Sequence, residues 1–355
     1  MNMRIDGMGV VGGFGCGISD LAAGIEEGRR PAKFFPLSTV HGEIQVPMLL
    51  ADTAVLSTMA DRRTLRRIDH HTRMALLACL LAMEDAGISE PAAESLGIIV
   101  ATGYGSTCNT FDIQELCPAA DVRSFSPIQF SNSVHNAAGA HIASVLRSRG
   151  PNLSINQFDL SIPMAFLTAG HWLAEGRVDR VLVGGVDDFA RIMAYHRHCR
   201  FSGRQGGDSS PAPAAVGEGS AFFLVSGHGG GQDEVGVAWA ESGFSEAPKI
   251  PGADLCVIGA DGFSPGEEAY GRCVSGPAAC YAHLYGHLPV GMAFDVAAAV
   301  LSLRAGSVYA SAGGGVPLPG GPELISETRP LASGQIHCLK IGAAGGYGRV
   351  VLEKR

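Results

Sequence analysis

The chain is poor in charged and aromatic residues, and it has no long apolar run. Charged residues make up 17% of its 355 residues and aromatic residues 7%, whereas apolar residues make up 46%. So high an apolar content excludes an intrinsically disordered chain. No uninterrupted apolar stretch approaches the about 20 residues that a membrane helix needs, so no membrane span is expected. The N-terminus leads directly into a strand pattern, and we expect no signal peptide.

Paired cysteines and an excess of positive charge are also missing. The nine cysteines are scattered without any Cys-x-x-Cys spacing, which favours reduced thiols in a cytoplasmic protein. The net charge of −8 disfavours a nucleic acid as the main partner. One basic segment, residues 61–68, is predicted to be helical. A solvated helix face is the simpler interpretation, and a docking patch for an acidic partner protein is the functional one. Its arginines are Arg62, Arg63, Arg66 and Arg67.

Glycine, by contrast, is abundant, with 49 residues spread along the chain. Buried strands such as 96–101 and 180–186 alternate with apolar helices such as 71–86, and this alternation predicts an α/β fold. Residues 30–60 are expected to be loop and edge structure, and residues 131–140 to open a helix. A segment of linker composition, 226–232, separates two series of elements in similar order. We therefore predict two halves, residues 1–226 and 227–355, related by duplication.

The chain is organised around residues 154–167, which are predicted to form a short strand, an abrupt turn at Asp159 and a long apolar helix. Pro163 fits only the first turn of a helix, so Asp159 lies at or just before its N-terminus. Backbone N–H groups and the helix dipole favour a negative charge there. Many enzymes place a nucleophile at an elbow of this kind. Here the position holds a carboxylate.

The order and spacing of these motifs resemble the β-ketoacyl synthases of the thiolase fold. Gly150-Pro151 and Gly184-Gly185 flank the elbow, and counting from either anchor places Asp159 at the family's cysteine. Other segments are similar to the family's later turn, its second-histidine motif and its C-terminal glycine loop: residues 216–219, Gly286-His287 and residues 345–348. The resemblance implies two similar βαβαβαββ halves in α/β/α/β/α layers, and no cofactor.

The residues that the family uses for condensation are largely replaced. Asp159 stands for the cysteine that accepts the acyl group, Asp261 for the first histidine and Ala282 for a lysine, whereas His287 is retained. A carboxylate is a poor nucleophile towards thioesters, and a mixed anhydride would hydrolyse easily. Two aspartates are also expected to make the site anionic, the opposite of what a developing enolate needs.

Such a degenerate member resembles the chain-length factor of type II polyketide synthases. That inactive subunit pairs with an active ketosynthase and helps to close the end of the acyl tunnel. The resemblance implies a heterodimer on which an acyl carrier protein docks, with the four arginines as docking candidates. The family's tunnel end matches residues 104–117 and 131–138 here, and bulk there would limit chain length. The candidate gate residues are Cys108, Phe111, Gln114 and Val134.

Two other functions stay open. A decarboxylase or unusual acyltransferase would act on malonyl or acyl carrier protein through Asp159 and His287, and a homodimeric binding protein would hold an acyl chain without catalysis. Hydrolysis by Asp159 is less favoured, because no residue is expected to orient it. His283 and His287 have a spacing that suits zinc, but no further ligands follow at suitable spacing, so no metal is predicted.

Overall fold

The computed structural model describes most of the chain. Its described ranges are residues 2–28, 32–89, 94–116, 126–188, 191–201, 213–227, 234–244, 246–247, 249–250, 255–263, 266–314, 321–332, 334–342 and 345–355. The strands are β1 (Met3–Gly12), β2 (Gly15–Cys16), β3 (Lys33–Thr39), β4 (Gly42–Leu49), β5 (Leu96–Thr102), β6 (Asn152–Asn156), β7 (Arg180–Asp187), β8 (Val216–Gly217), β9 (Gly219–Gly227), β10 (Val235–Gly243), β11 (Leu255–Ile258), β12 (Ala278–Ala279), β13 (Ser307–Val308), β14 (Arg329–Pro330), β15 (Gln335–Ile341) and β16 (Tyr347–Lys354). The α-helices are α1 (Ile18–Glu26), α2 (Leu56–Met59), α3 (Arg62–Leu65), α4 (His70–Asp85), α5 (Thr107–Leu116), α6 (Pro127–Asn132), α7 (Ala137–Leu146), α8 (Ser161–Ala174), α9 (Arg191–Phe201), α10 (Tyr270–Cys273), α11 (Ala282–Tyr285) and α12 (Gly291–Ala305).

One large mixed sheet runs through the molecule in the order β12-β11-β15-β16-β10-β1-β9-β7-β5-β6. The five strands on either side of the short β1–β10 contact follow the same scheme. In each set the strand that comes first in the chain pairs antiparallel with the strand that comes last, β1 with β9 and β10 with β16. That last strand is also antiparallel to its other neighbour, which is β7 for β9 and β15 for β16. The remaining strands pair in parallel. This arrangement is the α/β fold that the alternation of elements predicts.

Alternating residues of the strands pack against different helices. On β5, Ile99 and Ala101 belong to the core that contains α8 and α12. Ile98 and Val100 face the core that contains α4. Helix α12 is buried from Gly291 to Leu303, as its apolar sequence on all sides requires. The helices therefore cover both faces of the N-terminal part of the sheet.

Three expectations about local structure are corrected. Residues expected to be loop and edge form the hairpin β3–β4, whose second strand pairs with β8 in a three-stranded sheet. The helix expected from residue 131 is divided into α6 and α7, with a break over residues 133–136. The basic segment contains a single helical turn, α3, which Asp61 caps by accepting N–H bonds from Arg63 and Thr64. Residues 228–232 of the expected linker lie outside the described ranges, whereas Ser226 and Gly227 form the end of β9.

No helix in the described ranges is both long and apolar enough to cross a membrane. None of the eight described cysteines forms a disulfide with another of them.

Candidate functional site

The elbow has the predicted form. Strand β6 is followed by a single 3₁₀ turn, Phe158–Leu160, and then directly by α8, with Pro163 in its first turn. The turn is sharp, because Phe158 adopts a φ of 47°, which a non-glycine residue rarely does. Ser161 holds it in place: its hydroxyl accepts from the N–H of Gln157 at 2.7 Å and donates to the carbonyl of Thr102 at 3.0 Å. Asp159 thus lies in the last turn before the helix.

Four charged or titratable side chains meet at this elbow, and we call them the lysine cluster: Asp159, Asp261, His287 and Lys340. The Lys340 ammonium donates to Asp261 at 3.2 Å and to the carbonyl of Gly259 at 2.8 Å, and it lies 3.8 Å from Asp159. Nδ1 of His287 is 2.8 Å from Oδ2 of Asp261, the same oxygen atom that accepts the hydrogen bond from Lys340. The side chains of Lys340 and Asp261 are each only 4% exposed.

The opposite charges in this cluster stabilise one another. Burial alone would lower the pKa of Lys340, but Asp261 and Asp159 outweigh it, and the pKa lies well above its usual value. Burial would likewise raise the pKa of Asp261, but Lys340 and His287 hold it well below its usual range. Lys340 and Asp261 are therefore a buried ion pair at neutral pH. The expectation of a purely anionic site is corrected, because Lys340 brings a cation between the two aspartates.

The loop that carries Asp261 is fixed by a further carboxylate. Glu267 accepts the N–H of Asp261 at 2.7 Å and the N–H of Gly262 at 3.0 Å. Burial and the nearby charge of Asp261 raise the pKa of Glu267 to about 8. Phe263 packs on the imidazole of His287 with ring centroids 4.3 Å apart. Asp261 and His287 are thus held rigidly against each other.

Lys340 is the member that sequence reasoning missed. It lies on β15, where every residue from Ile336 to Ile341 is buried, whereas Ala282, the residue expected at the family's lysine position, is a buried residue of α11. A lysine within an apolar strand is an available signal, because lysine is almost never fully buried without a partner. The sequence does not show which carboxylates that partner would be.

The candidate gate residues lie on and near α5. Cys108 and Phe111 are half-buried on that helix, and Gln114 is exposed. Val134 is 46% exposed in the break between α6 and α7. The amide of Asn109 donates to the carbonyl of Gln129 at 2.7 Å. This hydrogen bond joins α5 to α6.

The four arginines of the basic segment are all exposed. The carbonyl of Arg67 accepts a hydrogen bond from Asn132 at 2.8 Å, so the segment adjoins the end of α6. A short run rich in histidine, residues 196–199, lies on α9. Arg197 on that helix donates to the carbonyls of Pro213 and Ala214. Across the described ranges, no group of three or more His, Cys, Asp or Glu side chains is placed to hold a metal ion.

The sequence model of the β-ketoacyl synthase N-terminal domain matches residues 5–222. This match covers more than half of the chain, and the chain therefore belongs to the β-ketoacyl synthase family. No curated protein matches the sequence significantly.

Solved structures of this family share the fold. The chain is similar over its whole length to the ishigamide ketosynthase/chain length factor, with a TM-score of 0.80, 16% identity and 99% of that chain covered. A β-ketoacyl synthase from Burkholderia phymatum STM815 gives a TM-score of 0.81 at 15% identity, with 100% of this chain and 99% of that chain covered. The oxazolomycin ketosynthase domain OzmH KS7 of Streptomyces albus JA3453 gives 0.78 at 16% identity, with 100% of this chain and 75% of that chain covered. The fold is thus the thiolase-like fold of the ketosynthases.

Proposed function

We propose that this chain is a non-catalytic ketosynthase-like subunit, a chain-length factor. It pairs in the cytoplasm with an active β-ketoacyl-ACP synthase and shapes the acyl tunnel for polyketide, polyene or fatty-acid-like products. The observation that carries the proposal is the composition of the elbow. Asp159 lies 3.8 Å from the ammonium of Lys340, and a carboxylate has no sulfur with which to hold an acyl group as a thioester. The likeness to a structure described as a ketosynthase/chain length factor supports the same assignment.

Pairing through the edge of the sheet is supported by β6. This strand ends the sheet order, with β5 as its neighbour, and an edge strand presents unpaired backbone N–H and C=O groups to a partner. Exposed apolar side chains accompany it: Leu153 is 38% exposed and Phe158 57%. Phe130, near the end of α6, is 67% exposed. An apolar surface next to an open strand edge is suited to a stable subunit interface.

Docking of an acyl carrier protein is supported by the basic segment. Its arginines are exposed and lie next to α6 through the bond between Asn132 and Arg67. A positive patch attracts an acidic partner and speeds its association. Reversing two charges, Arg62→Glu and Arg66→Glu, should weaken carrier binding to the pair and reduce its salt dependence.

Co-expression with a candidate ketosynthase tests the pairing. We expect an equimolar complex, which Leu153→Asp and Phe158→Asp should dissociate by placing a charge at the interface. Val40→Asp is the matched control, because Val40 is 93% exposed on the distant hairpin β3–β4. Under turnover, intact-mass analysis should find acyl groups on the ketosynthase alone. An acyl group covalently bound to this chain would refute the proposal.

The gate is tested in the same reconstituted pair. Phe111→Ala removes bulk from α5 and should shift products to longer chains, measured by mass spectrometry. Glu115→Ala is the matched control on the same helix, because Glu115 is exposed and is not a candidate gate residue. An unchanged product profile for the Cys108, Phe111, Gln114 and Val134 variants alike would count against the assignment of the gate.

A second candidate function is a decarboxylase or acyltransferase acting on carrier-bound substrates. The hydrogen bond between His287 and Asp261 favours it, because it orients an imidazole beside the Lys340 ammonium. The purified chain would then release carbon dioxide from malonyl carrier protein, and Asp159→Asn and His287→Ala would abolish the release. No release above background from the wild-type chain would exclude this function.

A further inference from the structure

Two consecutive aspartates at the end of β7, Asp187 and Asp188, play no part in the proposed chemistry. We call them the aspartate pair. Both are buried, with 1% and 6% of their surface exposed. Asp187 accepts the hydroxyl of Thr102 at 2.7 Å and the N–H groups of Gly103 and Tyr104 at 3.0 and 2.9 Å. It thereby holds the end of β5.

Asp188 holds the beginning of α5 in the same way. Its carboxylate accepts the N–H of Thr107 at 3.1 Å, which is shared with the carbonyl of Gly105, and the N–H of Cys108 at 3.4 Å. The thiol of Cys108 also bonds to it. Together the two aspartates fix the whole segment from residue 102 to residue 108.

A helix usually satisfies its first N–H groups with the side chain that directly precedes it. For α5 that residue is Ser106, but its hydroxyl donates to Asp69, the N-cap of α4. The first turn of α5 therefore depends on a carboxylate supplied by a neighbouring strand. The position of α5 is then set by β7 rather than by its own sequence.

From this geometry we infer that Asp188 is the positioning residue of α5, and that it fixes the directions of Cys108 and Phe111. The consequence for product length rests on the proposed function, in which these side chains form the gate. The anchoring of the helix does not depend on that function. Asp188 also lines a narrow cavity together with Tyr104, Pro289 and His287, so the anchor adjoins the lysine cluster.

The surroundings of Asp188 are mainly acidic. Asp187 faces it from its own strand, Asp69 from the start of α4, and the Cys108 thiol from α5, and Asp112 lies further along that helix. Beyond these lies Glu218, which bonds to His70 at 2.8 Å. Burial, with Asp187 and Asp69, raises the pKa of Asp188 to about 7. Opening of α5 would admit water to the carboxylate and lower this pKa, so ionisation favours opening, and the anchor weakens as the pH rises towards 7.

Hydrogen exchange of the full chain tests the anchor. In Asp188→Ala, the amides of the first turn of α5 should exchange about fivefold faster or more, as for the loss of a helix cap. Asp188→Asn keeps one acceptor oxygen and should restore most of the protection. Asp52→Ala is the matched control, because Asp52 also accepts a backbone N–H, from Ala54 at 2.8 Å, but on the surface.

The pH dependence separates positioning from general stability. After correction for intrinsic chemistry, opening of α5 in the wild type should increase between pH 5 and 7, by at most about tenfold per pH unit. The profile of Asp188→Asn should be flatter, with the remaining slope due to Asp187, whose pKa burial raises to about 6, and the amides of α12 should show no such change. Wild-type protection in Asp188→Ala, or an unaltered profile in Asp188→Asn, would overturn the inference.

Product analysis of the reconstituted pair then distinguishes the two proposals. If α5 loosens in Asp188→Ala and the products spread in length, both are supported. If α5 loosens and the products do not change, the anchor stands and the gate assignment fails.

Discussion

The pKa of a buried aspartate is shifted in opposite directions in the lysine cluster and in the aspartate pair. In the lysine cluster, Asp261 faces an ammonium and an imidazole, and its pKa is held well below its usual range. In the aspartate pair, the partners are backbone N–H groups, one hydroxyl and one thiol, and burial raises the pKa of Asp187 to about 6 and that of Asp188 to about 7. Burial is similar in both places, so the presence of a full positive charge decides the direction of the shift.

The largest effect should come from removing that positive charge. Lys340→Met leaves Asp261 buried without its cation, and breaking a buried ion pair in this way costs about 3–5 kcal/mol. Urea unfolding should show this loss, and Lys33→Met is the matched control because Lys33 is exposed. Adding Asp261→Asn should recover part of the stability, since the unpaired charge is then gone. A change below about 1 kcal/mol in Lys340→Met would remove the contrast between the two groups.

The pH dependence of stability should differ in sign between the groups. The lowered pKa of Asp261 gives stability that is present above the ordinary carboxyl pKa and is lost as the pH falls below it. The raised pKa of Asp188 makes stability decline as the pH rises from the ordinary value of 3.8 to about 7. Urea midpoints from pH 5 to 8 should therefore fall, and Asp188→Asn should reduce the slope by up to about 1.4 kcal/mol per pH unit. An unchanged slope in this variant would contradict the raised pKa.

The smallest effect should come from Asp159 itself. Its contact with Lys340 is longer than that of Asp261, and its side chain is 14% exposed. Asp159→Asn should therefore cost only about 0–1 kcal/mol, as for a screened ion pair. Thermal or urea unfolding beside Asp261→Asn measures the difference. Equal losses in both variants would mean that the elbow carboxylate supports the cluster as strongly as Asp261 does.

The sequence predicts those parts of the site that local rules determine. The elbow follows from the position of Pro163 and its distance from the glycine anchors, and the structure places Asp159 in the turn before α8. The role of Lys340 could not be predicted, because its partners are 79 and 181 positions away and no local pattern joins them. The sequence likewise does not predict that Asp188 holds α5, because Ser106 precedes the helix as an ordinary local cap. In the structure the hydroxyl of Ser106 bonds to Asp69 instead.

The same distinction applies to the fold. Long apolar helices such as α4 and α12 and buried strands such as β5 follow directly from composition and periodicity. The hairpin β3–β4 lacks such a signal, because most of its first strand is exposed. The break between α6 and α7 contains neither glycine nor proline. There the side chain of Asn132 bonds to Arg67 and His141, so tertiary contacts decide.

The buried ammonium of Lys340 also determines what a single substitution at the elbow would do. Asp159→Cys would remove one of the two carboxylates beside the buried cation, and it would leave Asp261 bonded to His287 and Lys340. A thiol at position 159 would then lie beside the Lys340 ammonium, which favours the thiolate form.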